Sequence, residues 1–421
     1  PTNAQDVFPD MDGRLPLILD GGECDVGVES TVVSVVGDKP TLFRPGHITL
    51  EDLERALNKA ADEVIVIEHK VKEYLGLNEN IRQEIISIVV KGIDIVISFD
   101  FIPILSEICN WYNIQYVSWI YDWPNYTLFC KEVYNKCNRI FLFERNGIEL
   151  LSRYNIGNIQ YSSLAVDTDR LDRQLGKDII NTKYDYDVSF VGNMNTNLNN
   201  ILMSDEIPSY YEGYINGLAQ VQQKIYGYNV VNEIVDKEWV RGYLRASCVD
   251  MDNIVIPHEC VLAAQINKYI TGLERTNLLN AIADKYNLDV FTGNEELNIE
   301  KAVMHKSIDY YSRMPEVFRK SKINLNMTLR SITSGISLRV YDILGAGGFC
   351  LTNYQEDIAK LFKDGEELVM FTDENDMLNK LEYYLLHEEE RMAIALNGHK
   401  AVKKFSYDNV LEYILKYIAL T

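Results

Sequence analysis

Apolar, strand-like runs alternate with helix-like segments through most of this chain, and that alternation constrains the fold more than any other feature. Residues 93–99 and 115–120 are almost continuously apolar, and a helical pattern at 104–112 separates them. A further strand-like run at 139–143 precedes a helical pattern at 146–154. Strands that are apolar on both faces and joined by helices are typical of parallel sheets covered on both sides. The sequence therefore predicts an α/β protein with a parallel, doubly wound sheet.

A second unit of the same kind begins near residue 186. Strand-like runs at 187–191, 289–292, 323–326 and 348–352 alternate with segments that are mostly helical. A chain of 421 residues is long enough for two or three domains at roughly 150 residues each. We therefore predict two facing Rossmann-like domains. The predicted ranges are 1–60 for a β-rich opening, 61–175 and 176–405 for the two domains, and 406–421 for a C-terminal helix.

Composition excludes several classes of function. The formal net charge is −21, from 62 acidic and 41 basic side chains, and such a surface repels nucleic acid. The seven cysteines are scattered and the six histidines lack a metal-ligand spacing, while the Asp-x-Asp triplets are expected by chance in so acidic a chain. We predict no metal and no disulfide framework. No signal peptide or transmembrane segment is visible, so a cytoplasmic location is expected.

The segment 321–354 carries the most chemistry. Two arginines, Arg330 and Arg339, bracket a polar loop that contains Ser334 and Gly335, and a helix with Asp342 in its first turns follows. Backbone amides at a helix N-terminus and arginine side chains favour a phosphate or diphosphate, and a carboxylate in this place can accept ribose hydroxyls. The plainer alternative is that the Gly-Ala-Gly-Gly turn after this helix is only a helix cap before a buried strand.

Other candidate residues lie outside that segment. Gly192 and Asn193 follow a predicted strand and would lie at the mouth of the interdomain cleft. Tyr310 could stack on a nucleotide base, or it could simply pack in the protein interior. Asp122 ends a strand in the first domain, where it could act as a base, bind acceptor hydroxyls or cap a helix. These side chains complete the predicted site.

The combination of motifs resembles the CgeB-like (spore maturation protein) glycosyltransferases over about residues 63–420. The resemblance rests on SKINLNMTLRS, GISLRVYDILGAGGF and LTNY, with DVSFVGN, SWIYDWP and CNRIFLFERNG upstream. It implies a GT-B fold whose C-terminal domain binds a nucleotide-diphosphate sugar as donor substrate, with no cofactor, retention of configuration and an unknown acceptor. In the wider group a Glu-x7-Glu motif contacts sugar and ribose. Asp342 aligns with its second glutamate, and Ser334 stands where the first would be. Arg330 and Arg339 would replace the usual basic pair after Gly192.

The opening of the chain resembles a different family, the YrdC-like threonylcarbamoyl-AMP synthases, over about residues 1–57. The motifs are GVESTVV and the turn FRPG, and the resemblance implies that Ser30, Thr31 and Arg44 face a ligand. The first half of that family is absent, so we expect a fragment that could lend a strand, from 15–19 or 30–36, to the neighbouring sheet. Three functions stay open: a glycosyltransferase, a synthase remnant acting in tRNA modification, and a GT-B protein that binds a nucleotide sugar without turnover.

Overall fold

The computed structural model describes residues 32–34, 41–44, 79–194, 207–247, 256–294 and 299–419. Within them, two parallel sheets form two α/β units, as the sequence predicts. The first sheet has the order β3-β4-β5-β6 and the second has the order β12-β11-β10-β7-β8-β9, and every pairing in both is parallel. The predicted α/β, GT-B type of fold with two Rossmann-like domains is confirmed.

The strands of the two sheets are short, apolar and mostly buried. Their bounds, with those of an N-terminal hairpin, are β1 Val32–Ser34, β2 Thr41–Arg44, β3 Ile95–Phe99, β4 Gln115–Ile120, β5 Asn138–Leu142, β6 Ile159–Tyr161, β7 Tyr186–Val191, β8 Leu288–Phe291, β9 Val303–His305, β10 Ser321–Asn326, β11 Cys350–Asn353 and β12 Val369–Phe371.

Helices connect successive strands, as parallel pairing requires. Their bounds are α1 Glu79–Val89, α2 Pro103–Tyr112, α3 Arg145–Ser152, α4 Thr168–Leu175, α5 Ser209–Gln222, α6 Val230–Ile234, α7 Lys237–Ser247, α8 His258–Ala283, α9 Arg313–Lys320, α10 Leu338–Gly345, α11 Glu356–Leu361, α12 Glu374–Leu386, α13 Glu388–Val402 and α14 Tyr407–Ala419. Helices α5 to α8 form a helical block with its own apolar core, inserted between β7 and β8.

The last helix, α14, returns from the second unit to the first. Its residue Tyr407 packs edge-on against Trp119 of β4 at 6.2 Å between ring centroids, and Tyr417 packs against Phe141 of β5 at 5.7 Å. Val410 and Ile414 are buried in the same core. The apolar core of the first sheet is therefore completed by the C-terminal end of the chain.

The N-terminal hairpin differs from expectation in one respect. Val32–Ser34 pairs antiparallel with Thr41–Arg44, which agrees with a hairpin, but among the described strands it does not join the sheet of the first unit. Its own hairpin neighbour takes up its pairing edge, so the expectation that 30–36 lends a strand to that sheet is wrong for these residues. Residues 15–19 lie outside the described residues. None of the helices described is both long and apolar enough to cross a membrane.

Candidate active site

The carboxyl ends of the two parallel sheets meet across a cleft. Glu144, which directly follows β5, contacts the loop at 333–335 that follows β10. In open parallel sheets, ligands bind outside the carboxyl ends of the strands, where the connecting loops diverge. The contact therefore places the predicted loop of Ser334 and Gly335 at the edge where a ligand of either sheet would lie.

Four groups of that loop converge on the Glu144 carboxylate. The backbone N–H of Gly335 donates to Oε2 at 2.7 Å, and the Ser334 hydroxyl donates to Oε1 at 2.8 Å. The backbone N–H of Ser334 and the hydroxyl of Thr333 each donate to Oε1 at 3.1 Å. A Cβ added at Gly335 would lie 2.7 Å from the carbonyl oxygen of Phe143, so the approach requires glycine there. We call the groups of residues 333–335 the anion cradle.

Arg330 lies in a buried ion pair, away from this contact. Its Nε donates to Glu274 Oε2 at 2.7 Å and its Nη2 donates to Oε1 at 2.5 Å. Its remaining bonds go to the carbonyl oxygens of Ile225 and Gln223, and its guanidinium lies 4.0 Å from the ring centre of Tyr226. A guanidinium held in this way ties β10 to the helical block. These contacts do not favour the role at a diphosphate that the sequence suggested.

Arg275, on α8, is the arginine that sequence reasoning missed. It donates to the carbonyl oxygen of Asn193 at 2.6 Å and to that of Met327, just past β10, at 2.5 Å. No acidic side chain of the described ranges forms an ion pair with it. Burial, followed by the nearby charge of Arg339, lowers the pKa of Arg275 to about 10. A single arginine in a long helix gives no sequence signal, since most such residues lie on the surface.

Arg339 lies in the first turn of α10 and is half-buried. Its Nη1 contacts the sulfur of Met314 and lies 3.5 Å from Oδ2 of Asp342, which is a weak ion pair. Because the charge of Arg339 acts on Arg275, the two guanidinium groups are neighbours at the carboxyl ends of β7 and β10. Two adjacent cations with only one weak carboxylate contact between them suit an anionic ligand.

Asp342 and Tyr310 form a buried pair beside these arginines. The Tyr310 hydroxyl donates to Asp342 Oδ1 at 2.6 Å. Burial raises the pKa of Asp342, and the charge of Arg339 opposes that change. Tyr310 therefore holds the carboxylate through its hydroxyl, and its ring packs edge-on against Tyr311 at 5.2 Å. This favours the packing role for Tyr310 over the stacking role.

Gly192 and Asn193 continue from β7 towards the same place. The N–H of Gly192 donates to the carbonyl oxygen of Phe291 at 3.0 Å, and an added Cβ would lie 2.7 Å from the ring of Phe190. Asn193 supplies the carbonyl oxygen that Arg275 binds. The structure thus brings the glycine turn predicted after β7 to the arginine pair.

On the opposite side of the cleft, Asp122 follows β4 and is exposed. Its backbone N–H donates to Oδ1 of Asp100, which also accepts from the N–H of Tyr121 and the side chain of Asn125. Burial, then the charge of Asp122, raises the pKa of Asp100 to about 7. Asp122 caps none of the described helices whose caps are resolved, which leaves the acceptor-side role.

The predicted ligand residues of the N-terminal segment are not tested by the structure. Ser30 and Thr31 lie outside the described residues, and Arg44 ends β2. Among the residues that are described, no group of three or more histidine, cysteine, aspartate or glutamate side chains could hold a metal. The prediction of metal independence stays a prediction.

Two family models match different parts of the chain. One, described as glycosyl transferase-like, matches residues 275–416, and it therefore includes Arg275, Arg339 and Asp342. The other, of the Sua5, YciO and YrdC group and described as telomere recombination, matches residues 1–46. Both resemblances seen in the sequence are confirmed at this level, whereas the CgeB-like subtype is not addressed.

The curated relatives match only the beginning of the chain. Threonylcarbamoyl-AMP synthase of Schizosaccharomyces pombe is 56% identical over 54 residues, which are 13% of this chain and 13% of that protein. The Bacillus subtilis protein of the same name is 51% identical over 57 residues, 14% of this chain and 16% of that protein. The chain thus spans about a sixth or less of the length of these relatives.

Similar solved structures include two glycosyltransferases. Anabaena HepE in complex with UDP has 7% identity and a TM-score of 0.46, covering 81% of this chain and 82% of that one. Sucrose-phosphate synthase of Thermosynechococcus elongatus has 9% identity and a TM-score of 0.48, covering 87% and 91%. Likenesses at this level indicate no ligand or activity for this chain.

Proposed function

We propose that this chain is a CgeB-like glycosyltransferase that moves a sugar from a nucleotide-diphosphate sugar to an acceptor in the interdomain cleft. The observation that carries the proposal is the meeting of Arg275 and Arg339 at the carboxyl ends of β7 and β10. The match of residues 275–416 to a glycosyl transferase-like family supports it. The proposed donor domain is 176–405, and the proposed acceptor domain is 61–175.

The proposed reaction breaks the bond between the anomeric carbon and the diphosphate oxygen, and it forms a bond from that carbon to an acceptor oxygen. Negative charge grows on the leaving diphosphate, and positively charged groups placed there lower the barrier. Arg275 and Arg339 would take the part that a metal ion has in other enzymes. Asp342 would accept the ribose hydroxyls, and Asp122 would accept a hydrogen bond from the acceptor hydroxyl. We propose retention of configuration, which follows from the family resemblance alone.

A donor screen tests this proposal. Thermal shift and calorimetry of the full chain against UDP-, GDP-, TDP- and CDP-sugars should show stabilisation by at least one of them. Arg275→Ala and Arg339→Ala should each weaken that binding about tenfold to a hundredfold, the value of one or two hydrogen bonds to a charged group. Arg313→Ala is the matched control, because Arg313 is an exposed arginine on α9 that pairs with Glu316.

Two results would contradict the proposal. One is unchanged binding in both arginine variants. The other is stabilisation only by ATP with threonine, which would favour the synthase remnant that the match of residues 1–46 suggests, acting through Ser30, Thr31 and Arg44. Slow hydrolysis of the bound sugar nucleotide separates an enzyme from a protein that binds the donor without turnover.

A further inference from the structure

The anion cradle is occupied by a side chain of the protein itself. Glu144 is fully buried, and its two carboxylate oxygens together accept from Thr333, Ser334 and Gly335 as well as from the N–H of Asn146. Every one of these donors is neutral. The neighbouring Arg145 guanidinium is turned to Asp357 at 3.1 Å instead. A desolvated carboxylate is therefore balanced by hydrogen bonds alone.

The donors of the cradle are of the kind that binds phosphoryl groups. Consecutive backbone N–H groups together with serine and threonine hydroxyls are a common setting for phosphate oxygens, and helix N-termini add a favourable dipole. The cradle lies immediately before α10, whose first turn holds Arg339. A phosphoryl oxygen bound to the arginine pair and one bound to the cradle could belong to the same diphosphate.

We propose that the Glu144 carboxylate stands in for a phosphoryl oxyanion of the donor, and that it must leave the cradle before the donor binds fully. The proposal rests on the function proposed above and concerns the regulation of the same site. Because all the oxygen lone pairs of Glu144 that face the loop are engaged, an incoming anion competes directly with it. The apparent affinity for the donor is then lowered by the fraction of molecules in which the cradle is occupied.

A permanent latch between the two domains would use the same contacts, and the two roles predict opposite results. If Glu144 only latches the domains, its removal leaves anion binding unchanged or weakens it through a looser cleft. If Glu144 competes with the ligand, its removal strengthens anion binding. The sign of the change in affinity therefore decides between them.

The experiment measures binding of inorganic pyrophosphate and of UDP to the full chain by calorimetry. In Glu144→Gln the volume is kept but the charge is lost, and the amide N–H2 group cannot accept from Ser334 or Gly335. We expect both ligands to bind about tenfold more tightly, the equivalent of one hydrogen bond to a charged group. Glu149→Gln is the matched control, since Glu149 lies on the same helix, is 72% exposed and should leave affinity unchanged.

A second variant guards against a folding defect. Glu144→Asp keeps the charge but shortens the side chain by one methylene, so it should also hold the cradle less well and bind pyrophosphate more tightly. Equal or weaker pyrophosphate binding in both variants, or no pyrophosphate binding by any form, would overturn the inference. Failure of the proposed function gives a different pattern: no sugar nucleotide binds, whereas pyrophosphate still binds Glu144→Gln more tightly than the original chain.

Discussion

Asp100 is a residue whose environment costs stability for the sake of a local arrangement. It follows β3 with a positive φ of 55°, a backbone conformation that only glycine, asparagine and aspartate adopt readily. Its Oδ1 accepts three hydrogen bonds, while burial and the charge of Asp122 raise its pKa to about 7. A carboxylate pair in such a place, on the acceptor side of the cleft, is typical of a functional site.

Asp100→Asn should stabilise the protein, and the gain should grow with pH. The folded pKa lies above the unfolded value of 3.8, so between these values the folded chain binds more protons and its stability falls as pH rises. Asparagine keeps the accepting oxygen and tolerates the positive φ, but it carries no charge. Urea unfolding should show a gain of about 1–3 kcal/mol at roughly pH 8 and a smaller gain at roughly pH 5.5.

The control for this change is Asp94→Asn, at an exposed aspartate just before β3. Its effect on the free energy of unfolding should stay within about 0.5 kcal/mol at both pH values. A gain in Asp100→Asn that is independent of pH would show that the positive φ, rather than the charge, limits stability. Where a transfer assay is in hand, the stabilised variant should transfer more slowly.

The residues of the site differ in how far a sequence can reveal them. Asp342, Arg339 and Gly335 lie in one short segment with a recognisable order of loop and helix, so the pattern predicted their neighbourhood. Arg275 comes from a helix more than fifty residues away in sequence, and only the folded chain brings it to Asn193 and Met327. Glu144 reads as a helix cap, which it is, since it accepts from the N–H of Asn146. Its longer contact across the cleft leaves no trace in the local pattern.

At the scale of elements, the long apolar strands could be predicted, whereas the shortest could not. The runs that became β3, β4, β5 and β10 are near-continuous and apolar, because helices cover both faces of the sheets. The strands β6 and β9 have three residues each, which is too few for any periodicity to appear. Both lie at sheet edges, where one side of the strand has no partner.

Helix α10, which carries Arg339 and Asp342, is held in place from behind by α13. Gly398 of α13 lies so close to the loop before β12 that an added Cβ would be 2.2 Å from the carbonyl oxygen of Glu367 and 2.8 Å from Leu344. His399, the next residue, contacts the carbonyl oxygens of Leu344 and Gly345 at the end of α10. The position of the candidate site thus depends on a close helix contact outside it.

Gly398→Ala should force these elements apart and destabilise the chain by about 1–3 kcal/mol, the usual cost of overpacking. Gly217→Ala is the matched control, because Gly217 lies within α5 and an added Cβ there meets nothing within 4 Å. That control should stabilise by about 0.5–1 kcal/mol through the helix preference of alanine. Chemical unfolding of both variants gives the comparison, and equal signs would contradict the packing argument.

At the scale of the whole molecule, two α/β units could be predicted, but not the way in which they share a core. The sequence suggested a separate C-terminal helix at 406–421. In the structure α14 contributes to the same apolar cluster as β4 and β5, together with residues of α10. A helical pattern shows which face of α14 is apolar, but it does not show against which domain that face packs. Long-range placement of this kind depends on the whole fold.

Ile414→Asp tests whether α14 belongs to the core of the first domain. Ile414 is 1% exposed on the face of α14 that meets this core, so an aspartate there would bury an unpaired carboxylate. We expect a loss of at least about 3 kcal/mol in the free energy of unfolding. Lys416→Asp places the same residue on the exposed face, where Lys416 pairs with Glu412, and it should cost no more than about 1 kcal/mol. Equal losses in urea unfolding would mean that α14 is not packed on β4 and β5 in solution.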